Sequence, residues 1–193
     1  MTGSLAYRKN EDAILRGEVP DKYTRLLPFI PGERILEIGS AEGVLALLLA
    51  RMGRQVTALE KSEERHESAN RLYSEWLARE HHFNPPTFIN GTIGERLDVL
   101  AGVDTLVAVR MIYYLRDQLD TVFSEVAKHI PNVVLCGNRN RAERWRAGVP
   151  DDPGGPHNKY ASRQGMFELL ERHGYRIAQV VSEGDEIVVG ERA

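Results

Sequence analysis

The sequence predicts an α/β protein built on a mostly parallel sheet with helices on both faces. Three observations carry that expectation. Short β-type runs alternate with helical patterns almost to the end of the chain. A glycine-containing turn, "GSAEG", joins the first run to a strongly apolar helix. The last two runs are divided only by the tight "EGD" turn, so they form an antiparallel hairpin, because a parallel pair needs a long crossover.

The expected strands are Arg34–Ile38, Gln55–Leu59, Thr87–Asn90, Asp104–Val109, Asn132–Cys136, Tyr175–Ser182 and Glu186–Gly190. Helices are expected at Val44–Met52, Glu63–Glu80, Asp117–His129 and Arg163–His173. Ser62, followed by Glu63 and Glu64, has the chemistry of an N-cap with first-turn acids, and Asp117 and Ser162 can cap two more helices. Gly53, Gly174 and Pro131 stand where helices should stop. Val122, Phe123, Val126, Ala127 and Ile130 recur at helical spacing and give the third helix one buried face. Residues 1–30 read as an N-terminal preface, helical in part. Residues 137–161, "GNRNRAERWRAGVPDDPGGPHNKYA", break the pattern as a long, polar, turn-rich loop, and loops of that length in compact domains are commonly functional. After a strand of a parallel sheet such a loop falls on the ligand-binding edge.

The chain of 193 residues suits one domain with a sizeable core, 1–193. Its net charge of −3 argues against broad affinity for nucleic acid or anionic membrane. A single cysteine, Cys136, excludes an intramolecular disulfide and a cysteine-based zinc site, and its apolar strand context suggests a buried core thiol. The longest apolar run, around Val44–Ala50, is far shorter than the roughly 20 residues that span a bilayer. The first twenty residues have no apolar core of signal-peptide length, so the expected compartment is the cytoplasm.

The glycine turn poses the chemical question. A turn at a helix N-terminus often cradles phosphate on its amides, yet two acids, Glu37 and Glu42, crowd this one. Ala41 and Val44 stand where the dinucleotide fingerprint wants glycines. A pyrophosphate would be poorly held. A ligand with an amine, a sulfonium and a nucleoside fits better, with Glu37 near its cationic end and Glu60, at the tip of the second strand, accepting both ribose hydroxyls. The alternatives are a helix-capping role for Glu37 and a solvated acid at Glu60.

At these residues the sequence resembles the class I S-adenosylmethionine-dependent methyltransferases. "LEIGSAEG" is similar to their glycine motif, with Ala41 as a small-residue departure, and "VTALEKS" to the motif whose acid binds the adenosine ribose. "DTLVAVRMIYYL" occupies the place of the motif ending their fourth strand. The resemblance covers residues 23–192 and implies a Rossmann-like seven-stranded sheet and S-adenosyl-L-methionine as cofactor. The cofactor-binding candidates are Glu37, Gly39, Ser40, Ala41, Gly43, Glu60, Lys61, Thr92, Ile93 and Arg110. Two departures stand out. Gly91, Thr92 and Ile93 replace the acid that often pairs with the adenine amino group, so backbone and packing would hold adenine. Arg110 stands where many amino-group methylators carry Asp or Asn.

Methyl transfer from a sulfonium is a displacement on an activated methyl group, so alignment alone can supply about 7–11 kcal/mol. Tyr113 and Tyr114 follow the fourth strand, where they either pack the core or face substrate. Arg110 either meets the ligand or pairs with Glu42 or Glu60. His157 is the general-base candidate, against a plain surface histidine. Arg139, Arg144 and Tyr160 are candidate substrate contacts; Arg139, Arg141, Arg144 and Arg146 can grip an anion or form a solvated face over Trp145. "NPPT", residues 84–87, precedes the third strand and reads as a turn, and His81-His82 read as a helix end; no metal site is expected.

The expected function is methylation of a hydroxyl or amine on a small-molecule or glycan-type acceptor, with no DNA partner. Two rivals remain: an RNA methyltransferase, supported only by the arginine-rich segment, and a non-catalytic S-adenosylmethionine-binding regulatory protein.

Overall fold

The computed structural model describes residues 5–79, 84–149 and 155–192. Its strands are β1 (Arg34–Ile38), β2 (Gln55–Glu60), β3 (Thr87–Asn90), β4 (Thr105–Val109), β5 (Asn132–Cys136), β6 (Tyr175–Val181) and β7 (Ile187–Arg192). They lie in a seven-stranded sheet in the order β3-β2-β1-β4-β5-β7-β6. The chain divides into two compact units, Met1–Arg96 and Leu97–Ala193.

In the first unit β2 pairs in parallel with both β1 and β3. The connecting helices are α3 (Val44–Arg51) and α4 (Glu63–Leu77), preceded by α1 (Leu5–Leu15) and the short α2 (Asp21–Thr24). Every residue of α3 from Val44 to Ala50 is buried, as a helix apolar all round requires. By contrast α4 buries only Ala69, Leu72 and Trp76, spaced on one helical face. Ser62 caps it, its Oγ accepting the Arg65 N–H at 3.5 Å. The residues before α3 turn left-handed at Gly43, φ +75°. A Cβ there would come within 2.6 Å of Phe88 and 2.9 Å of Ala69, so conformation and close packing both demand glycine.

In the second unit β4 and β5 are parallel and almost wholly buried, which explains their unbroken apolar sequences. β7 is antiparallel to β5 and to β6, and a register shift falls between Ile177 and Gln179. The hairpin is the one read from the sequence. Helix α5 (Leu119–His129) buries Leu119, Val122, Phe123 and Val126, the expected face. It starts two residues later than expected. Arg116–Gln118 form a separate 3₁₀ turn, entered through a left-handed Arg116 (φ 49°), and the Asp117 side chain caps nothing. Helix α4 likewise ends at Leu77, short of Glu80.

The larger departure is residues 137–161. Expected as a loop, they contain helix α6 (Arg139–Arg146) and a 3₁₀ stretch, Gly155–Ala161. Asn138 caps α6, its Oδ1 accepting the Arg141 N–H at 3.2 Å. Only Ala142 of α6 is buried, so no apolar period announces it. Residues 150–154 of this segment, and His81-His82, lie outside the described residues.

Ser162 caps the last helix, α7 (Arg163–Arg172): its Oγ accepts the Gly165 N–H at 3.3 Å and donates to the Lys159 carbonyl at 2.6 Å. Ser162→Ala should therefore cost about 1–2 kcal/mol of stability, read as a lowered midpoint in urea with an unchanged slope.

Candidate active site

Glu37 ends inside the first unit, on β1, with only 3% of its surface exposed. One carboxylate oxygen, Oε2, is buried without a hydrogen-bond partner. Burial pushes its pKa up to about 8; Lys22 pulls the other way, Glu60 adds to the rise, and the Ala46 N–H offsets part of it. In the turn that follows β1, the Ser40 hydroxyl is also buried and unpartnered. Two such groups three positions apart in the chain cost free energy unless something else satisfies them.

The turn that follows offers no cradle for phosphate, because its amides are already used. Gly39 and Ser40 N–H donate to the Leu59 carbonyl at 2.8 and 3.0 Å, and Gly43 N–H donates to the Ser40 carbonyl at 2.9 Å. Ala41, left-handed at φ 51°, donates its N–H to Glu60 Oε2 at 2.9 Å. The Glu42 carboxylate accepts its own N–H and lies 3.7 Å from Arg65 Nε; burial raises its pKa. The site is built to attract a cation and to turn away an anion.

Glu60 is the hinge of this arrangement. Oε2 holds the turn through Ala41, and Oε1 accepts the Ser62 N–H at 2.8 Å, where α4 begins. Its backbone carbonyl accepts from Gly91 N–H and Asn90 Nδ2, each at 3.0 Å. An ionised carboxylate accepts about four hydrogen bonds, so two backbone donors leave capacity for a diol. Lys61 is exposed. Thr92 donates its N–H and hydroxyl to Glu95, and Ile93 is buried.

The second unit carries another polar cluster. Arg110, left-handed at φ 55°, ends β4 and pairs with Asp185, its Nε 2.5 Å from Oδ2. Asp185 also accepts the Arg139 N–H at 3.0 Å. The expected partners of Arg110, Glu42 and Glu60, are thus replaced by a residue of the β6–β7 turn. Tyr113 is buried, which pushes its pKa up to about 12, and its hydroxyl accepts from Asn138 Nδ2 at 3.2 Å. The Arg141 guanidinium lies over Tyr113 and Tyr114, 4.5 and 5.0 Å from the ring centroids. It donates to Asn158 Oδ1 at 2.8 Å and to the Tyr114 hydroxyl at 3.1 Å.

Other expected contacts are placed differently. Arg139 is exposed and pairs with Glu143 at 2.8 Å, and Arg144 lies on the same exposed helix. Tyr160 is buried and hydrogen-bonded by Arg172. His157 Nε2 lies 3.3 Å from Asp117, whose side chain is 98% exposed. Asn138, Asn158 and Asp185 had no signal in the sequence beyond cap, loop and turn chemistry. Only the pairing of distant residues reveals them. Among the described residues no cluster of His, Cys, Asp or Glu is placed to hold a metal ion, and no helix is long and apolar enough to cross a membrane.

A mixed seven-stranded sheet of this order, parallel but for its β6–β7 hairpin edge, with an acid inside the first strand and an acid-closed turn, is the architecture of the class I S-adenosylmethionine-dependent methyltransferases. The chain belongs to that family: the family described as "Methyltransferase domain" matches residues 11–180. No curated protein matches it in sequence. Among solved structures it is similar to magnesium protoporphyrin IX methyltransferase (ChlM) from Synechocystis PCC 6803 with bound SAH. That match has 17% identity and a TM-score of 0.65, covering 97% of this chain and 84% of that one. The N-terminal domain of EvdMO1, crystallised in the presence of SAH and D-fucose, is 20% identical, with a TM-score of 0.61 and coverages of 91% and 86%. The bifunctional kinase-methyltransferase WbdD is 20% identical with a TM-score of 0.59; the match covers 95% of this chain and 39% of WbdD. At these identities the likeness is one of fold.

Proposed function

We propose that this chain moves the methyl group of S-adenosylmethionine to a hydroxyl or amine of a small-molecule or sugar-containing acceptor, in the cytoplasm. The observation that carries the cofactor half is the buried Glu37 oxygen without a partner, beside a turn whose amides are spent. Glu37 and Ser40 would receive the ammonium end of the cofactor, and Glu60 its ribose hydroxyls. Gly39, Ala41 and Gly43 shape the turn, and Lys61, Thr92 and Ile93 are candidates for its rim. The bound cofactor supplies an activated methyl on a sulfonium; the protein's part is to align an acceptor with it and exclude water. His157, held against Asp117, is the candidate for taking the acceptor's proton. A porphyrin in the name of one neighbour and D-fucose in the crystal of another support a small organic acceptor.

Isothermal titration tests the cofactor reading: S-adenosylmethionine and its demethylated product should bind, and NAD should not. Binding of NAD in their place would overturn it. Transfer of labelled methyl to hydroxyl- or amine-bearing sugars separates this reading from its rivals. Label entering only RNA, or entering no acceptor until a protein partner is added, would favour them.

A further inference from the structure

Tyr113 and Asn158, both in the second unit, are each left with an unspent donor by the hydrogen bonds around them. Asn138 Oδ1 accepts the Arg141 backbone N–H, which fixes how the Asn138 amide is turned. Its Nδ2 must then donate to the Tyr113 hydroxyl, at 3.2 Å. Tyr113 is the acceptor in that bond, and among the described residues its own O–H donates to nothing. Asn158 is held in the same way. Its Oδ1 accepts from Arg141 Nη1 at 2.8 Å, and its Nδ2 is buried without an acceptor among the described residues.

Both residues are 1% exposed, so bulk water serves neither donor. They are also neighbours. The 3₁₀ turn Ile112–Tyr114 packs on the 3₁₀ stretch Gly155–Ala161, and the Arg141 guanidinium touches both, bonding Asn158 and lying 4.5 Å from the Tyr113 ring centroid. Burial pushes the Tyr113 pKa up to about 12, so its hydroxyl keeps its proton at any working pH and stays a donor. The oxygens of the two side chains already receive hydrogen bonds. A guest that brings lone pairs and no proton therefore matches them better than a hydroxyl or an amine.

We propose that Tyr113 and Asn158 donate to a carbonyl oxygen of the methyl acceptor. The proposal rests on the reading of the chain as a methyltransferase with a small acceptor, and it narrows that acceptor to ketones, amides or esters that also carry the group to be methylated. The Tyr114 ring, 47% exposed and 4.7 Å from that of Tyr113, gives the carbon skeleton an aromatic surface. Both donors bind and orient; neither gives up its proton.

The test uses the full chain without cofactor, and acetophenone labelled with ¹³C at its carbonyl as probe. In infrared difference spectra the bound carbonyl stretch should lie below its position in hexane. It should move back towards that position in Tyr113→Phe, and also in Asn158→Asp, which keeps an oxygen for Arg141 and loses the N–H. Ethylbenzene and 1-phenylethanol, of nearly the same shape, should bind about tenfold or more weakly than acetophenone. Tyr113→Phe should weaken acetophenone by a similar factor and leave ethylbenzene unchanged. Neither variant should alter affinity for the demethylated cofactor. Ethylbenzene or 1-phenylethanol binding as well as acetophenone would overturn the proposal, as would a stretch that either variant leaves unmoved. Equal weakening of acetophenone and ethylbenzene in Tyr113→Phe, or loss of cofactor affinity in either variant, would also overturn it, since the effect would then be structural. Failure of the unaltered protein to bind the demethylated cofactor would instead sink the methyltransferase reading, because the acetophenone measurements do not depend on it.

Discussion

Glu37→Gln is expected to stabilise the unliganded protein increasingly as pH rises from about 4.5 to about 8, by a few kcal/mol at the upper end. Burial holds the folded-state carboxyl at about 8 against an ordinary 4.5, with Lys22 opposing and Glu60 reinforcing the rise. Between those values the folded protein keeps a proton that the unfolded chain has released. Stability then falls with rising pH, by about 1.4 kcal/mol per unit for one proton. Below the ordinary value both states are protonated and nothing is lost; above about 8 the loss is complete. Urea denaturation of both proteins across this window checks it. Parallel curves would mean that Glu37 is not buried uncharged. Cofactor binding should reverse the cost, since an ammonium at Oε2 favours the ionised form. At about pH 6–6.5, where the Glu37 carboxyl and an α-amino group are both almost fully protonated, binding should release close to one proton, and less as pH rises toward about 8. Titration calorimetry in buffers of different ionisation enthalpy reads that number directly. In Glu37→Gln the proton release should vanish along with most of the affinity.

Glu60→Ala should damage both stability and cofactor affinity. Its two oxygens hold the Ala41 and Ser62 amides, and each hydrogen bond to a charged acceptor contributes about 1.5–3 kcal/mol. A loss of roughly 3 kcal/mol or more in unfolding free energy is expected on those bonds alone. Affinity for the cofactor should fall by a further 1–3 kcal/mol, roughly, as the ribose loses its acceptor. The two effects separate in Glu60→Gln, whose single acceptor oxygen can serve only one amide. If Glu60 reads the ribose, the natural protein should discriminate against a cofactor analogue lacking the ribose hydroxyls, and Glu60→Gln should discriminate much less. Equal discrimination in both would reduce Glu60 to a fastener of the turn.

Several of these features were legible in the sequence because they depend on near neighbours. Three strands, Arg34–Ile38, Thr87–Asn90 and Asn132–Cys136, have the bounds read from the sequence; the first and last are largely buried and declare themselves as apolar runs, and the short β3 is marked off by the turn residues that flank it. The hairpin followed from the shortness of its turn. Glu37 and Glu60 stood out because acids are misplaced beside a phosphate-type turn. Helix α6 was not legible. It buries one residue, so periodicity had nothing to detect, and its cap, Asn138, is equally at home in a loop.

By itself the sequence determined the alternation of strands and helices, the terminal hairpin and the acid-flanked turn, all set by local period and residue type. Only the tertiary structure decided what the side chains in those places have to bond with. It took the amides of the turn out of use, left one Glu37 oxygen without a partner, and matched Arg110 to Asp185, 75 residues away. It also laid the Arg141 guanidinium over Tyr113 and Tyr114 and left the Asn158 amide nitrogen buried without an acceptor. Backbone conformation is written in short stretches of chain. Burial and charge balance depend on residues distant in sequence, and they exist only once folding has brought those residues together.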